Sequence, residues 1–432
     1  MNTRLAEAVI TYNGKAITTS LDRFFIGMTY TDPASGESDT LSVQLGDKDA
    51  LWSNAWMPHM GDLLQAEIRV FDWARPDDNR DLACGKFTLD DLRYTGWPQS
   101  AEIGGVSAPV NCDFDCRERT KTWNKITIKK IANDIAYSAG LAFVYDAPEI
   151  KLETVEQQEQ TNSAFLMGLC EKYGLSMKVF SQKLVIFDRV AYKKKDAVGL
   201  IRTEDMSAYD YRATMTGGYT RGEITYTDPK TEKEVAFSVG AGRRVLKTSA
   251  KAESRADAEL LLNAALEKAN HGLTTLKVST MGNPSLVASQ TVNVVGIGKL
   301  SGKYYIDKVV HGLNSNGYTC EYSLVLVEER GKVAVQDAIQ RLTAVGVINT
   351  PDYWVAHYGD VQYLDELLLN LSARIQERRE GGGITEVQAA LLVLVDAGVI
   401  NSPDYWQQNI KAIAYLDNLV IQAANAIRGA MA

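Results

Sequence analysis

The sequence predicts an α+β multidomain chain: two related small β-barrel domains separated by an α/β domain, followed by a C-terminal duplicated helical-hairpin region. Three observations lead there. Between Gly298 and Val327, Tyr304, Ile306 and Val310 alternate on one arm, as do Tyr318, Cys320, Tyr322, Leu324 and Leu326 on the other. Asn314-Ser315-Asn316-Gly317 supplies the turn, so the stretch reads as an antiparallel strand pair. Its first half echoes an earlier one, Gly302-Lys303-Tyr304-Tyr305-Ile306-Asp307 against Gly85-Lys86-Phe87-Thr88-Leu89-Asp90. Upstream of each, Thr29-Tyr30-Thr31-Asp32-Pro33 is matched by Thr225-Tyr226-Thr227-Asp228-Pro229, and two echoes in one order indicate a duplicated β domain. Finally, Val335 through Ile375 aligns with Val387 through Ile427 at a shift of 52 positions.

The first barrel is assigned to residues 1–115, where short alternating runs (Thr40–Leu45, Leu63–Phe71, Lys86–Leu92) are separated by Asp-Pro and Gly-Asp turn signals. Residues 116–195 read as α/β. Thr127 caps a helix with Ile128, Ile131, Ala132, Ile135, Ala136 and Ala139 on one face and Gly140 at its end. A strand at Leu141–Tyr145, a helix at Ser163–Tyr173 and a hairpin of Leu175–Val179 with Lys183–Phe187 follow. Lys193-Lys194-Lys195 reads as a solvated loop. The second barrel, 196–330, carries an inserted helix at 254–271 whose first turn resembles a capping box, Ser254 with Asp257. Residues 331–375 and 385–432 are the two helical repeats, joined by a linker at 376–384. Thr350 and Ser402 are expected as N-caps, with Pro351 and Pro403 at the first helical position.

Composition narrows the function classes. A net charge of −8 disfavours nonspecific nucleic-acid binding, and no apolar run approaches the roughly 20 residues of a membrane span. The N-terminus lacks the apolar region of a secretory signal, and five cysteines do not suggest a disulfide framework. The four histidines are scattered, Cys112-x-x-x-Cys116 lacks a second ligand pair, and no nucleophile elbow or phosphate loop occurs. The expectation is therefore no enzyme, no cofactor and no metal site; His311 reads as a strand residue. Abundant carboxylates leave a wall hydrolase as the least favoured alternative. Trp52, Trp56 and Trp73 read as core or interface aromatics, with a ligand platform as the alternative. Tyr353-Trp354 and Tyr405-Trp406 are the candidate partner-binding residues, against a reading in which each Trp closes a small helical core.

Residues 5 to 330 resemble the late control protein D family, the baseplate hub of contractile phage tails and related injection particles. The resemblance rests on Thr29-x-Thr31-Asp32-Pro33 with Ser38-Asp39-Thr40-Leu41, on Trp56-x-Pro58-x-x-Gly61-Asp62, and on Gly85-Lys86-Phe87 with Asp90. It continues through Arg119-Thr120-x-x-Trp123-x-x-Ile126-Thr127 and Gln160-Thr161-Asn162-x-x-Phe165-Leu166, closing with Gly302-x-Tyr304-x-Ile306, His311 and Gly317-Tyr318. It implies a virion structural protein in the tail baseplate: a homotrimer of paired barrels between tail tube and spike. The implied partners are a tail tube or distal tube protein, the central spike, other baseplate proteins and the tape measure protein. The C-terminal pair is similar to Ser-Pro-Asp-Tyr-Trp repeats of Gram-positive cell-wall-acting proteins. That similarity implies a cell-wall contact or a docking appendage, and a hub-borne wall-binding module is the alternative function.

Overall fold

The fold was analysed in a computed structural model. It describes residues 4–17, 23–108, 112–227, 234–240, 242–248, 252, 254–327, 330–344, 346–358, 360, 364, 367–368, 371, 387–412 and 415–427. The expected linker at 376–384 and Asp228-Pro229 lie outside the described residues. The architecture is multidomain α+β, dominated by sheet.

The chain opens with β1 (Leu5–Tyr12), β2 (Lys15–Ala16), β3 (Phe25–Pro33), β4 (Thr40–Gly46), β5 (Leu63–Phe71), β6 (Arg80–Thr95) and β7 (Ser100–Val106). Period-two alternation decides which face is buried. On β5, Leu64, Ala66, Ile68 and Val70 point into the core, while Gln65, Glu67 and Arg69 lie on the other face. The segment that follows holds β8 (Arg119–Thr127), α1 (Ile128–Ser138), β9 (Ala142–Asp146) and β10 (Lys151–Gln160). It continues through α2 (Asn162–Lys172), β11 (Leu175–Phe180), β12 (Lys183–Asp188) and α3 (Arg189–Lys194). Local signals place these helices. The Thr127 and Thr161 hydroxyls each accept the backbone N–H three residues on, and Gly140 and Gly174 follow the two helices at positive φ.

Next come β13 (Gly199–Arg202), β14 (Met206–Ala213), β15 (Arg221–Thr227), β16 (Glu234–Gly240), β17 (Val245–Thr248) and α4 (Arg255–Asn270). The sheet part ends with β18 (Thr274–Met281), β19 (Thr291–Val295), β20 (Gly302–Asn314) and β21 (Gly317–Leu326). Strands β15–β17 form a small sheet of their own. Ser254 caps α4 through the Asp257 N–H, and the helix packs its Leu261 and Leu262 into the core of the preceding α/β segment. That core also holds Trp123, Ile131, Leu166, Ile186 and Ile224. The α/β segment and the β15–α4 insertion are thus one lobe.

The first strand set runs β3-β4-β7-β6-β5-β1 across the sheet, and the second runs β14-β18-β21-β20-β19-β13. Numbered by order within its own set, each has strands arranged 2-3-6-5-4-1. The last neighbour differs in direction. β1 is antiparallel to β5, whereas the Val198 N–H donates to Thr291 O and the Thr203 hydroxyl to Val295 O, so β13 runs parallel to β19.

Two irregularities recur at matching places. Pairing of β6 with β7 skips Asp90, and pairing of β20 with β21 skips Asp307. Pairing of β3 with β4 skips Ile26, and pairing of β14 with β18 skips Ser207. Such bulges bend a strand and set its register. At the entry to the fourth strand, Gly61 N–H bonds to Leu89 O and Leu89 N–H to Asp62 O. In the second set, Ser289 N–H bonds to Ile306 O and Ile306 N–H to Gln290 O. Gly61 and Ser289 both sit at positive φ, +90° and +70°.

The Gly85–Asp90 echo therefore marks equivalent strands. The Thr29–Pro33 echo does not: Thr29 lies on β3, while Thr225 lies on β15 in the insertion. The two sets are also not separate in space. Strand β20 pairs antiparallel with β3, joining them edge to edge.

The C-terminal helices belong to a second compact unit: α5 (Arg330–Ala344), α6 (Pro351–His357), α7 (Val387–Asp396), α8 (Pro403–Asn409) and α9 (Leu416–Ile427). Leu342, Val347, Ile348, Trp354 and Leu364 share one core with Leu394, Val399, Ile400, Trp406 and Leu416, each 52 positions later. Gly346 and Gly398, both at positive φ, end α5 and α7, and the carbonyls of Leu342 and Leu394 accept from Val347/Ile348 and Val399/Ile400. Thr350 and Ser402 make no capping bond. Their ψ of 72° and 75°, against 153–169° at Thr127, Thr161 and Ser254, turns the hydroxyl away from the first-turn N–H groups.

Gly61→Ala tests the shared turn: the space around it is open, so the cost is conformational. We expect a loss of about 1 kcal/mol in urea unfolding, with Ser289→Gly unchanged or slightly more stable.

Candidate functional site

The structural core of the molecule is the seam where β3 meets β20. The register runs from Lys308 opposite Pro33 to Asn314 opposite Gly27. Beneath its upper end lies a buried ion cluster. Lys178, on β11 of the lobe, places Nζ 2.5 Å from Asp32 and 3.0 Å from Asp39, and donates to Pro33 O as well. Asp32 also accepts the Ala288 N–H from the second strand set, and Asp39 accepts the Tyr30 hydroxyl. Burial works against the charge on Lys178, but Asp32 and Asp39 outweigh it and keep its pKa above the ordinary lysine range. Asp39 feels burial most and is pushed up to about 6 despite Lys178.

Beside this cluster the seam is aromatic. His311 is fully buried, stacks on Tyr30 opposite it at 5.6 Å, and holds Nδ1 2.8 Å from the Tyr318 hydroxyl and 3.2 Å from Cys320 Sγ. Burial pushes its pKa down to about 4, so the ring is neutral at physiological pH. Trp73 closes the same cluster, packing on Tyr318 and donating its indole N–H to Gly282 O at 2.6 Å. Gly282 is required there, because a β-carbon would fall 2.1 Å from the Tyr318 ring. Nothing in this set presents a nucleophile or base to solvent; its chemistry is cohesion.

No protein-family model matches the chain. It is 23% identical over 368 residues to the probable baseplate hub protein of Escherichia phage 186, covering 73% of this chain and 92% of that protein. The hub protein of Escherichia phage P2 is 22% identical over 373 residues, covering 75% and 94%. The fold is similar to the 43 kDa tail protein of prophage MuSo2 from Shewanella oneidensis, at TM-score 0.56 and 14% identity over 74% of this chain and 98% of that one. It is also similar to a tail protein from Neisseria meningitidis, at TM-score 0.54 and 12% identity over 74% and 96%. The chain is thus similar to phage baseplate hub proteins over about three quarters of its length. Its role is structural, in the virion tail baseplate.

In this hub protein the residues that carry the resemblance are joints. Asp32 and Asp39 hold the ion cluster. Asp62 collects the Tyr12 hydroxyl, the Asn13 amide and the His59 N–H. Thr161 caps α2, and Asn162 donates to Asp113 O and accepts from Gln157. Sequence reasoning missed Lys178 and Trp73 as seam residues, since their partners lie 146 and 209 positions away.

The three tryptophans of the first set do not form one platform. Trp73 is in the seam, whereas Trp52 and Trp56 flank Phe24 beside an apolar cleft of about 520 Å³. The lysine run is not a solvated loop: Lys193 and Lys194 end α3, and half-buried Lys193 pairs with Glu267 at 2.6 Å. Among the candidate partner-binding residues, Trp354 and Trp406 are buried in the helical core and Tyr353 and Tyr405 are half-buried. Tyr353 stacks on His357 at 4.2 Å and meets Tyr415 edge-on. Among the described residues no cluster of three His, Cys, Asp or Glu side chains could hold a metal ion, and no helix is long and apolar enough to cross a membrane.

Two outcomes follow from the seam. Lys178→Met strands two buried carboxylates and should lose ~3–5 kcal/mol, with much of the loss recovered when Asp32→Asn and Asp39→Asn are added. The check is urea unfolding of the variants side by side. His311 gives a pH signature. Between pH 6.5 and about 4 the unfolded chain takes up a proton that the buried ring refuses, so its contribution falls as pH falls. Asp39 acts oppositely from about pH 6 downward, because the folded state then holds the extra proton. The stability deficit of His311→Phe relative to the native chain should therefore shrink on going from pH 7 to pH 4.

Proposed function

We propose that three copies of this chain close into a ring at the junction of tail tube and spike, each copy supplying two related β-barrels. The observation that supports this is the repeated strand order with its two matched bulges. A tube built from six-fold rings and a three-fold spike differ in symmetry. Three chains with two like sets offer six similar surfaces toward the tube while the ring keeps closed three-fold symmetry. The lobe of α/β segment and inserted helix occurs once per chain, which suits contacts on the three-fold side. On this reading the partners are a tail tube or distal tube protein, the central spike, other baseplate proteins and the tape measure protein, and the chain is not an enzyme. A net charge of −8 suits a channel that DNA traverses without adhering.

The C-terminal helices read as two repeats fused through one core. Their half-buried Tyr353 and Tyr405 favour a second, compatible reading in which this end docks on the cell wall or on another baseplate protein. Mass measurement of the purified chain, with particle images, tests the ring: a trimer lying between tube and spike is expected, and a monomer absent from that junction overturns it. For the second reading, Tyr353→Ala/Tyr405→Ala should reduce co-sedimentation of the full chain with peptidoglycan at least several-fold. Equal co-sedimentation removes the tyrosines from that role.

A further inference from the structure

The two strand sets fill their interiors differently. Thr88 and Tyr305 hold the same place in the echo and face Val106 and Val325. Counting back along β7 and β21 from that pair matches Ile103 with Tyr322 and Ala101 with Cys320. The strands beside them agree, since Val43 faces Ile103 and Val278 faces Tyr322. Tyr322 is fully buried, so its ring occupies the interior of the second set. Ile103 is smaller, and in the first set it lines the cleft of about 520 Å³ together with Val43, Leu45 and Leu64. The connection at the cleft is also longer, residues 47–62 against 282–290 in the second set. It carries Trp56, Met57 and Met60, all exposed.

Two polar groups mark the cleft as a binding site. Trp52 lines it, and the buried indole N–H of that residue has no acceptor among the described residues. A buried donor left unpaired costs stability until a partner reaches it. Asp62 lines it too. The Asn13 amide, the Tyr12 hydroxyl and the His59 N–H donate to its carboxylate and hold its pKa below the ordinary carboxylate range. All three donors are neutral, so the wall keeps a negative charge.

We propose that this cleft receives a tyrosine side chain, flanked by a basic residue, from a segment of another protein. The tyrosine supplies the ring that Ile103 lacks relative to Tyr322. Its hydroxyl is able to accept from the Trp52 indole, which leucine or phenylalanine would leave unpaired. The basic neighbour complements Asp62, whereas an acidic neighbour is repelled. Pockets of ~300–1,000 Å³ with aromatic walls and a few polar groups are the usual seats of such anchors. The site belongs to a single chain and does not depend on the ring.

Blocked peptides titrated into the full chain, followed by ligand-observed NMR, test the proposal. Acetyl-Gly-Tyr-Lys-amide should bind at least about five-fold more tightly than the Gly-Phe-Lys and Gly-Tyr-Glu analogues. Ile103→Tyr puts the second set's own side chain into the cleft. It should leave the urea midpoint unchanged or raised and abolish peptide binding. Trp56→Ala, which removes an exposed part of the wall, should weaken binding in a folded chain. Equal binding of the three peptides, or binding that survives Ile103→Tyr, overturns the proposal. So does a lowered urea midpoint for Ile103→Tyr, because the cleft then has no room for the ring.

Discussion

The ion cluster of Lys178, Asp32 and Asp39 is the constraint on which the arrangement depends. It ties together three stretches distant in sequence: the turn after β3, the lobe strand β11 and the Ala288 loop that enters β19. Two carboxylates buried so close together repel, and only the intervening ammonium makes their burial tolerable. The stability such a cluster contributes is modest relative to a hydrophobic alternative; its value lies in geometry. With Lys178 anchored on the lobe, the end of β3 is fixed where Lys308 and Val309 of β20 can pair with it. The neutral histidine and its tyrosine neighbours then fill the remaining space.

The same seam explains which parts of the fold were legible in the sequence. Helix caps at Thr127 and Ser254 and the hairpin at Asn314–Gly317 depend on residues three or four apart, so local reading found them, whereas the Thr161 cap was not read and its helix was started at Ser163. The Gly85–Asp90 echo was informative for a physical reason: it encodes the approach to a bulge, and a bulge dictates register in both sets. The Thr29–Pro33 echo was not, because in β3 its aspartate serves the buried cluster while in β15 the similar letters serve an ordinary strand of the insertion. The shared Thr-Tyr-Thr letters thus serve different cores, Tyr30 in the seam and Tyr226 in the lobe.

At the candidate sites the limits were similar. His311, Trp73 and Lys178 take their meaning from partners on other strands, and no spacing along the chain announces that. The Tyr-Trp pairs could be read either way from sequence; geometry separates each pair into a tryptophan that fills the core and a tyrosine that remains partly accessible. Thr350 and Ser402 had the composition of caps without the backbone angle, which the preceding Schellman-type turn sets.

The duplicated strand sets differ most in what joins their second and third strands. In the first set that connection is residues 34–39; in the second it is residues 214–273, carrying β15–β17 and α4. The insertion packs against the α/β segment, so the largest difference between the two sets gathers into a single lobe per chain. In the ring proposed above, a chain organised this way keeps its strand sets nearly equivalent toward the tube while its lobes vary under the three-fold symmetry alone. The seam must be strong, because it alone joins the two sets strand to strand among the described residues. Placing a buried ion cluster and a dry aromatic stack at that joint, with the bulges fixing register on either side, meets the requirement.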